Sequence, residues 1–354
     1  MHKNSTILSF VPPRRFEAFN RRLSGRHEMD KPNTVNMDSL TPLVTFVGPT
    51  AVGKSKIAVQ IAQEFNGEII NADSRQVYRY MDIGTGKPSL ADREKIRHHL
   101  LDIVDPWDEF SVAEYLMSAR KVICSVRKRN KIPIVVGGTG QYIFGLLDGY
   151  QTPAVSPNKL FRKKMTSKAE IEGEYSLWNN LYDLDPDSAK KIDYRNVRRV
   201  IRALEVYEET GILFSKLKRR EKPPFNEIVI GLNMERKQLY SQIDSRIESM
   251  IFNGWIEEVR KLLDLGCTLE LSSMASLGYR EIAMYLEDEI DLNEVLVRIK
   301  GFTHRFVRHQ YNWFRLRDTR INWVDVQESD VVNKLVSKIG NHLTNSESAM
   351  VEFT

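Results

Sequence analysis

Residues Gly48-Pro49-Thr50-Ala51-Val52-Gly53-Lys54-Ser55 form a glycine-rich stretch with the spacing Gly-x4-Gly-Lys-Ser, and these residue types suit one task, the holding of a polyphosphate. The two outer glycines let the backbone turn tightly with its N–H groups facing inward. Lys54 adds a point charge, and the Ser55 hydroxyl is where such loops hold Mg2+. The flanks are a β-branched and aromatic run, Val44-Thr-Phe-Val47, and an apolar-periodic run through Ile57, Ala58, Ile61 and Ala62, so the order is strand, turn, helix. The loop by itself does not select a polyphosphate. A kinase or ATPase is its default expectation, and a glycine turn with no phosphate duty is the alternative that the Lys-Ser pair argues against.

A second candidate group follows the short buried strand expected over Glu68 to Ala72. Asp73 and Ser74 then sit at its C-terminal end, the edge where open parallel sheets bind ligands. An aspartate there is either a proton acceptor or a helix N-cap, and position alone favours the cap slightly.

The third group is basic. Lys159, Arg162, Lys163, Lys164 and Lys168, then Lys190, Lys191, Arg195, Arg198, Arg199 and Arg202, crowd a region with helical patterning from about Gln151 to Gly211. A solvated helix face is the ordinary meaning of such a run. Arg195, Arg198, Arg199 and Arg202, however, have the spacing that stacks them on one helix side with no acid interleaved, which a phosphate backbone would neutralise. In Thr303 to Arg315 basic and aromatic residues alternate, a mix suited to RNA bases and phosphates, or to a C-terminal helix whose Phe302, Phe306 and Trp313 are core. His304 and His309 are five apart and do not make a helical metal pair.

The elements that must position these groups alternate. Ser111 and Glu114 have capping-box spacing and open a helix over Val112 to Arg129; a strand over Ile132 to Val136 runs into Gly137-Gly138-Thr139-Gly140 and a helix through Leu147. Ile228 to Leu232 restores a strand, and Glu235 to Phe252 reads as an amphipathic helix with Ile243, Ile247 and Ile251 on one face and Arg246 on a different one. The pattern predicts an α/β fold, a doubly wound parallel sheet flanked by helices. The expected division is a disordered extension over 1–40, a core over 41–150 and 200–325, a helical insertion over 151–199 and a tail over 326–354.

With 354 residues, 42% hydrophobic and 28% charged, a sizeable core is expected, and no apolar run approaches the roughly 18 residues that span a bilayer. Of the net charge of +5, residues 1–40 hold +3, so global charge does not argue for a nucleic-acid partner; local clusters must. Cys124 and Cys267 lie in no ligand or disulfide pattern, which points to a reducing, cytoplasmic setting. Ile7 to Phe10 is too short for a secretory core, and Met29 and Met37 offer later starts.

Several separate stretches agree on one family. The chain resembles the tRNA dimethylallyltransferases, the isopentenyl-tRNA transferases, over about Leu43 to Trp323. The matching pieces are Gly48 to Ser55, Asp73-Ser-Arg-Gln-Val-Tyr78, Met81-Asp-Ile-Gly-Thr85 with Lys87-Pro88, Leu101 to Pro106, Val136 to Thr139 with Tyr142, the segment from Arg199 ending in Arg-Ala-Leu-Glu205, and Gly278-Tyr-Arg280. The resemblance implies a P-loop NTPase-like core and transfer of a dimethylallyl group from its diphosphate to N6 of adenosine 37, on the 3′ side of the tRNA anticodon. The loop would then cradle a prenyl diphosphate with Mg2+ on Ser55, and Thr50 and Arg246 would act on the leaving group. Asp73 would be the general base, with Ser74, Arg75, Gln76 and Thr139 around the flipped base. Arg162, Arg198, Arg199 and Arg202 would clamp the RNA backbone. It also implies a bacterial-type enzyme without a zinc finger and no membrane partner, and a monomer is expected. Thr303-His304-Arg305-Phe306 departs from the family's Thr-Arg-Gln. A prenyltransferase acting on free adenylate, a small-molecule kinase and a nucleotide-binding switch are the competing expectations.

Overall fold

The computed structural model describes residues 41–150, 157–217 and 225–351, with side chains to 344. The extension expected over 1–40 lies outside the described residues. Six strands form one sheet: β1 (Thr41–Val47), β2 (Gly67–Asn71), β3 (His98–His99), β4 (Ile132–Val136), β5 (Phe225–Asn233) and β6 (Ile321–Asp325). Their order is β3-β2-β4-β1-β5-β6, every pairing parallel. The doubly wound parallel sheet expected from the alternation is therefore present.

Each parallel crossing needs a helix. α1 (Lys54–Glu64) leaves the glycine loop, and α2 (Leu90–Lys95), α3 (Val112–Lys128) and α4 (Gly140–Leu147) complete the first half. Ser111 and Glu114 form the expected capping box at α3, supplying partners for otherwise orphaned N–H groups. Next come α5 (Lys159–Glu172), α6 (Glu174–Leu184), α7 (Pro186–Ala189), α8 (Val197–Thr210) and α9 (Phe214–Leu217). The second half adds α10 (Arg236–Phe252), α11 (Trp255–Asp264), α12 (Tyr279–Leu286), α13 (Leu292–Trp313) and α14 (Val331–Val351).

Strand residues alternate between two cores, because successive side chains point to opposite sheet faces. Val44 and Phe46 join Ile57, Ile61, Ile243, Trp255, Ile299 and Val307 on one face; Leu43 and Val47 join Tyr115, Ile123, Ile143 and Phe314 on the other. A third core, with Leu177, Leu181, Ile192, Val200 and Leu204, belongs to the insertion.

Two boundaries differ from expectation. The edge expected at residue 199 falls inside α8, whose buried Val200, Ile201, Ala203 and Leu204 pack with the insertion rather than the sheet. The expected tail is a folded element: α14 buries Leu335 and Ile339 in the same core as α1, and β6 before it adds a strand to the sheet edge beside β5.

Candidate active site

Three strand exits meet at one edge of the sheet. β4 lies between β1 and β2, so the loop after it touches both: Ala72 N–H donates to Val136 O at 2.8 Å, Thr139 N–H to Ala72 O at 3.2 Å, and Gly137 N–H to Phe46 O at 3.2 Å. The glycine loop after β1 and Asp73 after β2 are thus two strand spacings apart, about 10 Å.

The glycine loop is built as its sequence requires. Gly48 has φ 142°, and a Cβ there would lie 2.4 Å from Leu232 O, so no side chain fits. Lys54 Nζ donates to Gly48 O at 3.0 Å and Pro49 O at 2.7 Å, folding the loop around the ammonium. Burial lowers the Lys54 pKa to about 8, with Arg246 adding to the fall and Asp73 opposing it. The three groups therefore share one field. Val52 is buried, whereas Ser55 is exposed at the first turn of α1.

Asp73 is not a helix cap. Its N–H donates to Asn71 Oδ1 at 3.0 Å, and its Oδ1 accepts from Arg75 N–H at 2.8 Å in a tight local turn. Asn71, buried, is itself anchored by donating to Leu100 O at 3.0 Å. This fixes the carboxylate facing a cavity of about 390 Å³ whose lining includes Thr50, Ala51, Asp73, Ser74, Arg75, Thr139 and Arg246. Ser74 N–H donates to Thr139 Oγ1 at 3.0 Å, tying the β2 and β4 exits.

Arg246 does not lie away from the apolar face of α10; it lines the cavity together with Ile243, Ile247 and Met250. Burial pulls its pKa below the ordinary arginine value, against the attraction of Asp73. Its guanidinium sits against Gly86, where φ is 61° and an added Cβ would stand 1.8 Å from Nη2. Gln76 does not line the cavity: its amide donates to Thr85 O and Gly86 O, each at 3.1 Å, bracing the segment beneath Arg246. Arg75 reaches across to Ser272 O at 2.6 Å.

Helix α13 divides differently from either expectation for this segment. The α13 core residues are Val295, Ile299, Thr303, Val307 and Gln310, while Phe306 (41% exposed) and Trp313 (49%) line the cavity with His309. His304 pairs instead with Asp244 at 2.9 Å and stacks on Tyr240.

The basic insertion residues do not form a single stripe. α8 begins at Val197, so Arg195 lies in the preceding turn and pairs with Asp193 at 2.7 Å. Arg162 and Arg202 both bind Glu205, which is fully buried, at 2.7 Å and 2.6 Å; Arg198 and Arg199 remain exposed. The acid that the spacing argument missed is one helical turn beyond Arg202.

Some site-building residues gave no motif signal. Glu258, buried on α11, accepts from the Asp82, Ile83 and Gly84 amides and from Tyr279 O–H, at 2.7–3.1 Å, and so holds the loop that carries Gly86. Gln310 was visible in the basic and aromatic run but carried no assignable role. Among the described residues, no group of three or more His, Cys, Asp or Glu gathers as a metal cage.

Comparison with known proteins decides the family. The IPP transferase profile matches residues 76–317 and an isopentenyl transferase profile residues 42–106. The chain is 46% identical over 276 residues to a tRNA dimethylallyltransferase of Roseiflexus sp. (strain RS-1), covering 78% of this chain and 90% of that one. It belongs to the tRNA dimethylallyltransferase family. The relative from Thermomicrobium roseum is 41% identical over 87% of this chain and 93% of its own. Among solved structures, a tRNA isopentenylpyrophosphate transferase from Bacillus halodurans aligns with TM-score 0.65 and 35% identity, covering 87% of this chain and 99% of that one. A eukaryotic dimethylallyltransferase acting on tRNA aligns with TM-score 0.74 and 28% identity, covering 86% and 80%. The transferase is a prenyltransferase on a P-loop NTPase-like fold, and its insertion and long α13 both lie within the matched span.

Proposed function

We propose that the transferase moves a dimethylallyl group from dimethylallyl diphosphate to N6 of adenosine 37 of tRNA, 3′ of the anticodon, and releases diphosphate. The observation that carries this reading is the shared cavity, with Thr50 and Arg246 on the side of the glycine loop and Asp73 facing the same space. Cleaving an allylic carbon–oxygen bond leaves charge on the diphosphate oxygens. Arg246, Lys54 released from the Gly48 and Pro49 carbonyls, and the loop amides other than Thr50, which Gln310 holds, and Pro49, which has no N–H, would be donors for those oxygens, and one such contact is worth about 3 kcal/mol. Thr50, which lines the cavity, would lie alongside the bridging oxygen. Adenine N6 has its lone pair delocalised into the ring, so Asp73 as base removes the N6 proton while the carbon–nitrogen bond forms.

The adenosine must leave its stack to reach Asp73, in a cavity whose lining also includes Ser74, Arg75, Thr139, Phe306, His309 and Trp313. The exposed Ser55 hydroxyl, with no acidic cage around it among the described residues, suits a Mg2+ ion that takes most of its ligands from diphosphate and water. That ion would neutralise leaving-group charge when bound. We further place the transferase in the cytoplasm as a monomer.

The test is direct. The protein is incubated with Mg2+, labelled dimethylallyl diphosphate and either unmodified tRNA or AMP, and in parallel with ATP and candidate acceptors. Label on tRNA is expected; label on AMP alone, or ATP turnover without prenyl transfer, would overturn the reading.

A further inference from the structure

Helix α6 carries a buried apolar face and, beside it, a row of exposed aromatic side chains. Leu177 and Leu181 point into the insertion core, and both are buried. Beside them Tyr175, Trp178 and Tyr182 recur at three- and four-residue spacing and form a ladder of rings, with centroids 5.6 Å and 5.4 Å apart and planes within 29° of parallel, Trp178 packing half-buried against the insertion core and the tyrosines lying outside it. Tyr194 closes the ladder edge-on against Tyr175 at 5.7 Å, with the Arg195 guanidinium over its ring.

The tyrosines of the ladder face solvent: Tyr175 is 57% exposed, Tyr182 41% and Tyr194 42%, with half-buried Trp178 stacked between Tyr175 and Tyr182. The ladder is also rigid. Trp178 Nε1 donates to both Ala189 O at 3.2 Å and Ile192 O at 2.9 Å, locking the central ring to the turn that follows α7.

The surroundings indicate what covers it. The turn that holds Trp178 continues through residues 190–199, which carry Lys190, Lys191, Arg195, Arg198 and Arg199 against one acid, Asp193, already paired with Arg195. Arg195 and Arg198 border a shallow depression beside Glu174, the first residue of the ladder helix. Flat π faces bordered by cations match unpaired nucleobases on a phosphate chain, because every base has a stackable face and stacking tolerates sequence. An aliphatic protein surface would not need the cationic border.

We infer that Tyr175, Trp178, Tyr182 and Tyr194 form a stacking platform on the insertion for unpaired bases of the tRNA acceptor, apart from the base that enters the cavity. This rests on tRNA being the acceptor. Its role is affinity and orientation of the RNA, with no part in the chemical step.

The test uses the full chain with Tyr175→Ser/Tyr182→Ser. Both residues are exposed, so the fold is expected to persist. As a second variant, Trp178→Phe keeps an aromatic side chain but removes the indole emission, together with the Nε1 hydrogen bonds. The double variant should bind unmodified tRNA about tenfold more weakly or worse and raise the KM for tRNA in proportion. The KM for dimethylallyl diphosphate and kcat at saturating tRNA should stay unchanged. Unmodified tRNA should quench a component of wild-type emission that Trp178→Phe lacks, and ultraviolet crosslinking should attach RNA to peptides within 174–195. Wild-type tRNA affinity in the double variant, or crosslinks elsewhere only, would overturn the platform while leaving the activity intact. A wild-type protein that modifies AMP and not tRNA would instead remove the reading on which it stands.

Discussion

The amide of Thr50 donates at 2.8 Å to Gln310 Oε1, a residue 260 positions away, and Gln310 Nε2 in turn donates to Gly138 O at 3.2 Å. One buried carboxamide on α13 therefore bridges the glycine loop and the β4 exit, the two segments that the proposed reaction assigns to leaving group and acceptor. Replacing Gln310 by Leu removes both bonds and is expected to cost about 1–3 kcal/mol of stability. It should also raise the KM for dimethylallyl diphosphate and lower kcat together. Gln310→Glu, which keeps the acceptor but adds a negative charge beside the loop, should lose more diphosphate affinity than Gln310→Leu; equilibrium binding of the two variants checks this.

Asp73→Asn keeps the shape and an acceptor for Arg75 N–H but cannot take the N6 proton. Turnover should fall by about 100- to 10,000-fold while tRNA binding stays near wild type, measured by single-turnover transfer and filter binding. Unchanged turnover would remove Asp73 from the role of base.

Lys54 titrates at about 8 in the free protein because burial disfavours its charge. Diphosphate needs the ammonium, so prenyl diphosphate affinity should be full below about pH 8 and fall as pH rises through it. Binding raises the Lys54 pKa, so calorimetry at pH 9 should record proton uptake, visible as a dependence of heat on buffer. For stability the sign is opposite: between about 8 and the ordinary 10.5 the unfolded chain holds the extra proton, so this group makes the free protein more stable as pH rises across that window. Lys54→Met should abolish the proton uptake.

Glu258 satisfies three consecutive amides and a phenol. Glu258→Ala should lower the unfolding free energy by about 3 kcal/mol in a urea titration, since buried donors are left unpaired. Because the same loop supports Arg246, the KM for dimethylallyl diphosphate should rise as well.

The insertion arginines should separate into two kinds. Arg162→Ala and Arg202→Ala deprive buried Glu205 of a partner and should lower the melting temperature. Arg198→Ala and Arg199→Ala should leave it unchanged, weaken tRNA binding and reduce its salt slope by roughly one each.

Local order was legible in the residues. The glycine loop, the capping box at Ser111 and Glu114, the strand β4 and the place of Asp73 after β2 each follow from neighbours in the chain, because turn, cap and strand preferences act over a few residues. The motif spacing also carried the family. Burial was not legible where two meanings shared one pattern. Phe306 and Trp313 read equally well as core or surface, and Arg202 looked free because its acid is buried by packing from α5 and α8.

The sequence by itself determined the phosphate-type loop, the acidic strand tip and the class of protein that carries both, since these depend on backbone chemistry within short spans. Only the tertiary structure decided that β4 would stand between the two, that Arg246 would turn into the cavity, and that Gln310, Glu258 and Glu205 would act as ties. Those outcomes depend on which side chains meet across hundreds of residues, and that is fixed by strand order and packing rather than by the residues' own preferences.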